Sequence, residues 1–231
     1  MAGAKAAGRG IHLSRSFIGL IFLLCAASAF AQESGTNSPA ANASAPQVAA
    51  GDHWAYEVRD EITGAIKFTR TDIATDVSNN QVAVRFDTNT GGSGVIGYDR
   101  SWNVLHDDPF RYSPNDGTGV QFPLALGAQW KFAIDAINSR NGQTFRRTGV
   151  SRVTGQESIT TKAGKFDTFV IETNFTGKNA QDPTLINQTS TRTWFSPEVN
   201  HWVKRTILLR RRGQVVQNDT VELTDYGHKK Q

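Results

Sequence analysis

The amino-acid sequence predicts an all-β fold: an antiparallel, strongly curled sheet of roughly nine to eleven strands that forms a half-barrel or open barrel. Three observations support this prediction. Apolar and polar residues alternate over short runs, and turn-forming residues separate these runs. No long window keeps an apolar stripe with the period of a helix. A signal peptide and a disordered linker are predicted to precede the sheet.

Residues 1–31 have the organisation of a secretory signal peptide. Three basic residues precede an apolar run, Phe17–Ala29, and Ala29-Phe30-Ala31 provides an A-x-A cleavage site. The run is shorter than the roughly 20 apolar residues that a membrane-spanning helix needs. The sequence therefore predicts a protein that does not span the membrane and is exported, to the periplasm of a Gram-negative bacterium or into the medium.

Removal of the leader changes the charge and the cysteine content. The chain has 25 Lys and Arg against 21 Asp and Glu, and subtracting the leader's Lys5, Arg9 and Arg15 leaves 22 basic residues. This near balance gives no support to nucleic-acid binding, which requires a basic surface. The single cysteine, Cys25, also leaves with the leader, which excludes disulfides, thiolate metal sites and cysteine nucleophiles.

Composition sets the predicted domain boundaries. Residues 32–51 are rich in Ala, Ser, Asn and Pro, a composition typical of a flexible linker because it cannot bury enough apolar surface. A single β-domain is predicted over residues 52–227, followed by a short tail, 228–231.

The first predicted strands show a period of two. Trp54-Tyr56-Val58, Val82-Val84-Phe86 and Trp130-Phe132-Ile134 each alternate with polar or small residues, which predicts one face in the core and one in water. Pro114–Gln129 contains too many helix breakers for a helix and is predicted to be a long loop. Turns are predicted at Ser78-Asn79-Asn80, Gly91-Gly92, Asn141-Gly142, Ala163-Gly164 and Arg212-Gly213.

The later strands carry apolar residues on both faces. Phe169-Val170-Ile171 and Ile207-Leu208-Leu209 are consecutive, and neighbouring side chains on a strand point to opposite faces. Because exposed apolar surface costs about 25 cal/mol per Å² relative to burial, the second face is expected to be covered by sheet curl, a neighbouring chain or an apolar ligand. The candidate ligand-lining residues are Trp130, Phe169, Ile171, Trp194 and Trp202.

The stretch Ser196–Asn200 is predicted to be a turn between two of these strands. Trp194 and Trp202 flank it and are expected to meet as a cross-strand aromatic pair. Core packing is the principal role expected for both tryptophans, and His201 is expected to lie exposed at the exit of the turn.

The sequence offers little for catalysis. It lacks a G-x-S-x-G nucleophile elbow, an H-E-x-x-H zinc motif and a phosphate-binding loop. His106-Asp107-Asp108 supplies three potential metal ligands, but neighbours on an extended chain do not converge on one ion. Asp135, Glu157, Asp167 and Glu172 would form a carboxylate pair only through tertiary contacts. We therefore predict no catalytic residue, no metal and no cofactor.

Basic residues are concentrated towards the C-terminus. Lys204, Arg205, Arg210, Arg211 and Arg212 flank an apolar stretch. One interpretation is the solvated tip of a hairpin, where charge prevents strand-to-strand aggregation. The other is a patch that contacts anionic envelope material such as lipid headgroups or lipopolysaccharide.

Three segments carry a resemblance: VTGQESITTKAGKFDTFVIET (153–173), TWFSPEVNHWVKR (193–205) and FPLALGAQWKF (122–132). They resemble a family of exported bacterial β-domains of unknown function, with a Gly-x-Glu strand, an Ala-Gly-x-Phe turn and an aromatic pair before a Pro-x-Val turn. The curled half-barrels of the LolA and LolB lipoprotein carriers, which hold acyl chains in an apolar concavity, are similar in fold class. The resemblance implies a shape and does not transfer an activity.

We therefore expect a non-catalytic binding or carrier domain for an apolar or amphiphilic, lipid-like molecule. Two alternatives remain open. One is a structural or accessory envelope protein that binds another protein, and the other is a hydrolase that uses carboxylates.

Overall fold

The computed structural model of the chain describes residues 47–228. These residues form a closed barrel of twelve antiparallel strands in which each strand pairs with its neighbours in sequence. The predicted signal peptide, most of the linker and the last residues of the tail lie outside the described residues. The strands are β1 (His53–Asp60), β2 (Ile66–Val77), β3 (Val82–Thr88), β4 (Ser93–Tyr98), β5 (Val104–Asp107), β6 (Phe110–Ser113), β7 (Gln129–Asn138), β8 (Thr144–Thr161), β9 (Gly164–Asn179), β10 (Ile186–Ser196), β11 (His201–Arg211) and β12 (Gln214–Gly227).

Pairing between the first and last strands closes the barrel. β1 pairs with β12 from His53↔Gly227 to Asp60↔Asp219, with one irregularity between Ala55 and Tyr56. Closure gives every strand two partners, although the end of β8, residues 155–161, is in register with β9 alone.

The prediction of an antiparallel all-β domain is confirmed, but the predicted half-barrel of nine to eleven strands is wrong. The sheet is closed and has twelve strands. The sequence pattern missed β5 and β6, which have only four residues each. Runs this short do not show a period of two, and Asp108-Pro109 between them resembles an ordinary polar loop.

The predicted turns and the long loop are confirmed. β2 ends at Val77 and β3 begins at Val82, and Asn200 immediately precedes β11. Between β6 and β7 the chain forms the loop 114–128, as the helix breakers in this segment predict.

The connections define two ends of the barrel. The end that carries the loop 114–128 is called the loop end, and its other connections are 78–81, 99–103, 162–163 and 197–200. The opposite end is called the rim. Its connections are all short: 61–65, 89–92, 108–109, 139–143, 180–185 and 212–213. None of these is long enough to fold across the mouth of a twelve-strand barrel.

The packed core lies at the loop end. Trp54, Tyr56, Phe169 and Phe195 are the largest fully buried side chains there. Leu124, which is 0% exposed, extends from the loop 114–128 into the same cluster. The loop therefore closes this end of the barrel with its own apolar side chains.

The residues that precede β1 pack against the same end. Val48 is 8% exposed and belongs to the core cluster. The amide of Gly51 donates to the carbonyl of Ala74 at 2.7 Å, and Asn200 Nδ2 donates to the carbonyl of Gln47 at 2.9 Å. Residues 47–51, which fall within the predicted linker, are thus attached to the barrel.

One apolar residue on the outer face, Val170, is covered by the barrel itself, whereas others such as Val95 are exposed. Val170 alternates with Phe169 and Ile171 and is 1% exposed. Its register partner on β10 is Trp194, whose indole Nε1 donates to Glu157 Oε1 on β8. The indole thus spans from β10 to β8 over the intervening strand, so a side chain of the same chain covers this part of the second face.

Gly149 is predicted to be essential for packing inside the barrel. A Cβ atom at this position would lie 2.5 Å from Phe175 Cβ and 2.6 Å from Phe132 Cζ. Gly149→Ala is therefore expected to lower the free energy of unfolding by about 1–3 kcal/mol, because the Phe132 ring and the neighbouring backbone of β9 at Asn174 and Phe175 must move. Denaturant titration measures this change.

Gly177→Ala is the matched control, since a Cβ atom there would meet only Arg147 Cγ at 3.5 Å, an ordinary contact. This variant is expected to be neutral or slightly stabilising. Equal losses in the two variants would contradict the packing described for Phe132 and Phe175.

Candidate ligand-binding site

The structure divides the five residues predicted to line a ligand site. Phe169 and Ile171 lie inside the barrel and are 1% and 3% exposed, and Trp202 is 8% exposed in the same core. Trp130, at the start of β7, is partly buried against this core. Trp194 lies on the outer face. Three of these residues therefore belong to the packed core at the loop end, and the five predicted residues do not surround a single cavity.

The predicted cross-strand pair of tryptophans is wrong. Trp194 is in register with Lys204, whereas Trp202 is in register with Phe195. An irregularity between Trp194 and Phe195 changes the phase of the strand, and the two indoles point to opposite faces of the sheet. Trp202 instead packs against Tyr56, Tyr98 and Trp102, with ring centroids 6.3–6.5 Å away.

His201 is the centre of this aromatic cluster, so its predicted exposure is also wrong: the residue is 2% exposed. Its ring stacks on Trp54 with a centroid separation of 4.5 Å and meets the ring of Trp102 edge-on at 4.4 Å. The turn 197–200 turns inwards through the buried Val199, and His201, two residues later, lies inside the barrel.

Two hydrogen bonds determine the tautomer of His201. Tyr56 Oη lies 2.5 Å from His201 Nδ1 and donates to the carbonyl of Trp202 at 3.1 Å. A hydroxyl group has one proton, so Nδ1 must carry its own proton and donate it to Tyr56. Burial lowers the pKa of His201 well below its ordinary value, with repulsion from Arg205 and Arg70 as smaller causes. The imidazole is therefore neutral.

Charged residues lie inside the barrel beside this aromatic cluster, with Asp72 in register with Trp54 and Arg70 in register with Tyr56. Arg70 Nε binds Asp72 Oδ1 at 2.5 Å, and the guanidinium lies 4.3 Å from the centroid of Phe86. Burial raises the pKa of Asp72, against the opposing effect of Arg70. Asp116, from the loop 114–128, is 5% exposed and accepts hydrogen bonds from the amides of Val104 and Thr118.

Two further arginines also lie inside the barrel. Arg205 Nε donates to Thr193 Oγ1 at 3.0 Å, and its guanidinium lies 4.0 Å from the centroid of Trp202. The Arg147 guanidinium lies between the rings of Tyr112 and Phe175, at 5.0 and 5.4 Å. Within residues 47–228, neither arginine forms a salt bridge.

Towards the rim, the wall of the lumen is mixed: Ile207 has Thr191 and the buried Asp219 as register partners, and Leu209 has Thr189 and Gln217. Ile207 and Leu209 follow Arg205 at alternate positions on β11 and are partly exposed. Phe175 on β9 is in register with Thr189 on β10, which is in register with Leu209, so these side chains share one face of three strands. The arrangement places three apolar side chains among polar neighbours on the wall of the lumen, on the rim side of a cationic group.

The basic residues predicted to form one patch are separated. Lys204 is on the outer face, 3.6 Å from Glu222 and 5.6 Å from the ring of Trp194. Arg205 is in the lumen. Arg210, Arg211 and Arg212 are exposed at the rim, around the turn between β11 and β12. Only these last three form a contiguous basic segment at the surface.

The carboxylates considered for catalysis do not converge. Asp135 forms an ion pair with Arg146, Glu157 binds Trp194, and Asp167 accepts from Ser158. Glu172 lines a separate depression on the outer face of β9 and β10. The larger depression on this face, about 350 Å³, is lined mainly by Thr, Asn, Gln and Ser and offers no apolar wall.

The triplet considered for metal binding also diverges. The imidazole of His106 lies directly over Gly97, and the Asp108 carboxylate binds Arg140. Asp107 is in register with Ile96 and Phe110. Residues 47–228 contain no group of three or more His, Cys, Asp or Glu side chains that could hold a metal ion.

The described residues form a twelve-strand up-and-down barrel, and several solved structures are similar to it. A presumed lipoprotein from Parabacteroides distasonis superimposes with a TM-score of 0.56 at 14% identity, over 81% of this chain and 100% of that one. A presumed exported protein with a YmcC-like fold from Bacteroides fragilis gives a TM-score of 0.47 at 10% identity, over 80% of this chain and 99% of that one. The hypothetical lipoprotein YmcC from Escherichia coli gives 0.46 at 10% identity, over 75% and 84%.

At these identities the likeness to the Parabacteroides structure shows the fold alone. No protein-family model and no curated protein matches the sequence. Residues 47–228 contain no helix with the length and hydrophobicity to cross a membrane.

Acidification is predicted to destabilise the barrel through His201. In the unfolded state the His201 imidazole binds a proton when the pH falls below its ordinary pKa of about 6.5. In the folded state it stays neutral to a lower pH, because its pKa is lowered. The free energy of unfolding should therefore fall as the pH drops below about 6.5 towards the lowered pKa, by at most about 1.4 kcal/mol per pH unit. Urea titrations across this range measure the slope.

His201→Gln should reduce stability at neutral pH, because the aromatic stacking is lost, and should flatten the dependence on pH. If the free energy of unfolding of His201→Gln falls with pH as steeply as that of the wild type, another group causes the pH dependence.

Proposed function

We propose that this protein is an exported, non-catalytic binding domain that takes an apolar or amphiphilic molecule into the rim half of its barrel. The single observation that carries the proposal is the division of the lumen. The loop end is packed with aromatic side chains, whereas the inward-facing residues near the rim, including Phe175, Ile207 and Leu209, retain accessible surface.

The number of strands supports a lumen that side chains do not fill. An eight-strand barrel has an interior that its own side chains fill or that holds one small ligand, and the diameter grows with the number of strands. Twelve strands therefore enclose more space than the inward-facing side chains of an eight-strand barrel occupy. At the loop end, large aromatic residues and the loop 114–128 take up this space. Near the rim no comparable insertion is present among residues 47–228.

The proposal that the protein is exported rests on residues 1–31, which have the composition of a secretory leader. The descriptions of the structural neighbours as lipoproteins or exported proteins agree with this location. The periplasm is the compartment that we propose, since an exported amphiphile-binding domain would meet lipid-like molecules there.

The lumen proposal predicts that a charge at Leu209 prevents binding. Protein purified from its native compartment should release a lipid-like molecule on solvent extraction, detected by mass spectrometry. Leu209→Asp is expected to reduce the amount at least tenfold, because a carboxylate would have to be desolvated against the apolar ligand.

Leu208→Asp is the matched control, since Leu208 lies on the same strand with its side chain on the opposite face and is also partly exposed. It should leave the extracted amount unchanged. Wild-type protein that yields no such molecule, and that does not bind an added apolar fluorescent probe, would refute the proposed function.

Attachment to an anionic surface is a second candidate function, and the rim favours it. Ile62, Ile66, Val215 and Val216 are 67%, 51%, 41% and 51% exposed at the ends of β1, β2 and β12. The amide of Glu61 donates to the carbonyl of Asn218, which joins the first turn to β12. Exposed aliphatic residues beside three arginines are a combination that suits anionic lipid headgroups.

Replacement of Arg210, Arg211 and Arg212 by Gln is predicted to weaken binding to vesicles that contain phosphatidylglycerol. The loss should be about tenfold or more, because each basic residue near an anionic surface contributes about 1 kcal/mol. Co-sedimentation measures the bound fraction, and added salt should reduce it for the wild type.

A charge-matched control removes three exposed basic residues near the loop end: Lys131, Arg152 and Lys165. This triple variant should bind as the wild type does. An equal loss of vesicle binding in both triple variants would show that binding depends only on the net charge of the protein. It would exclude a specific contact between the rim and the lipid.

A further inference from the structure

The lumen contains a guanidinium group that the described residues orient but do not neutralise. Arg205 lies on β11, in register with Thr193 on β10 and Val221 on β12. The hydrogen bond to Thr193 Oγ1 at 3.0 Å and the stacking on Trp202 at 4.0 Å fix the plane of the group. Within residues 47–228, its Nη1 and Nη2 atoms have neither a hydrogen bond nor an ion pair.

This cation is enclosed by protein and still accessible. Its pKa is lowered chiefly by burial, which shows that protein surrounds the side chain. It nevertheless retains accessible surface, so that surface faces the internal space of the barrel. A buried cation without a counter-ion costs several kcal/mol, and proteins normally pair such groups.

The nearby carboxylates are engaged by other groups. Asp72 forms its ion pair with Arg70, and Asp116 accepts from Thr118 and from the amide of Val104. Asp219 binds Lys67 Nζ at 2.9 Å. Each of these acids therefore has a close partner, whereas Arg205 has carboxylates only at longer range.

The surroundings of Arg205 suit an anion with an apolar substituent. The hydroxyls of Tyr56 and Tyr98 are close enough for the arginine charge to oppose the rise in their pKa values, which burial chiefly causes. Towards the rim, Ile207 and Leu209 follow on the same face of β11, at successive steps of roughly 7 Å. The anionic group would lie deep in the lumen and the apolar chain would extend along these residues towards the rim.

We infer that Arg205 binds the anionic group, a carboxylate or a phosphate, of an amphiphile held in the lumen. The inference rests on the proposed function and adds the chemical class of the ligand. Arg is suited to this role because its planar guanidinium forms two parallel hydrogen bonds with either group.

Competition against an uncharged apolar fluorescent probe tests the inference. The competitors are oleate, oleoyl lysophosphatidate, oleyl alcohol and, as anions without a chain, acetate and inorganic phosphate. The wild type is expected to bind at least one of the two charged amphiphiles about tenfold or more tightly than the alcohol, as charge-assisted hydrogen bonds imply. The preferred amphiphile identifies the group as carboxylate or phosphate.

Arg205→Gln should bind the alcohol as the wild type does and lose the preference for the charged amphiphile. Arg205→Lys should keep only part of the preference, because an ammonium group lacks the planar fork. Arg192→Gln is the matched control: Arg192 also lies over a tryptophan, 5.0 Å from the ring of Trp194, but on the outer face. It should retain the preference in full.

The stability of the Arg205→Gln variant distinguishes a ligand-binding role of Arg205 from a structural role. Removal of an unpaired, enclosed cation should leave ligand-free Arg205→Gln at least as stable as the wild type in denaturant titrations. A large loss of stability together with an unchanged preference would show that Arg205 is a structural residue and overturn the inference.

The remaining outcomes also decide the question. Equal affinity of the wild type for the alcohol and the charged amphiphiles would refute the anionic site and leave the proposed function intact. Failure of every chain-bearing compound to bind would refute the proposed function itself. Displacement by acetate or phosphate at the same concentrations as by the amphiphiles would show a small-anion site and overturn the assignment of an amphiphile.

Discussion

Hydrogen bonding between β1 and β12 is the constraint on which the rest of the structure depends. It removes both edges of the sheet and fixes the circumference at twelve strands. A circumference of this size encloses more volume than the inward side chains of a smaller barrel would fill, so the protein must fill it by other means. At the loop end it does so with aromatic rings around His201 and with Leu124 from the loop 114–128. Near the rim, the inward-facing Phe175, Ile207 and Leu209 are only partly buried.

The burial of polar groups follows from this division. Close packing at the loop end creates a requirement for hydrogen-bond partners, which the buried Trp102 Nε1 and Ser196 Oγ do not meet. Tyr56, His201 and the carbonyl of Trp202 meet this requirement as one chain of hydrogen bonds, and Trp54 Nε1 donates to the carbonyl of Val199. In the lumen the same requirement is met for Asp72 and Asp116 but not for Arg205. A group that is held in place and left unsatisfied by its own chain is typical of a binding site, where stability is reduced for the sake of an interaction with a ligand.

The outer surface shows why apolar residues on both faces of a strand do not by themselves indicate a ligand or a partner chain. Val170 is covered on the outer face by Trp194, which is held by Glu157 and flanked by Arg192 and Lys204. A single indole with charged neighbours is enough to shield a valine on a strongly curved sheet. Two arginines stack on tryptophans, Arg192 on Trp194 outside and Arg205 on Trp202 inside. Arg192 is exposed and lies 3.5 Å from Glu157, whereas Arg205 is partly buried and has no ion pair among the described residues.

The sequence by itself determined the all-β class, the turns and the long loop, because these depend on local patterns: alternation over a few residues and the backbone preferences of Gly, Pro and Asn. The tertiary structure alone decided closure, the strand count and the site. Pairing of β1 with β12 joins residues more than 150 positions apart, and no local pattern encodes it. The irregularity between Trp194 and Phe195 sends the two tryptophans to opposite faces, and the inward turn at Val199 buries His201. A change of phase by one residue reverses the facing of every side chain that follows, so the position of Arg205 in the lumen depends on register, which is fixed only when the strands pair.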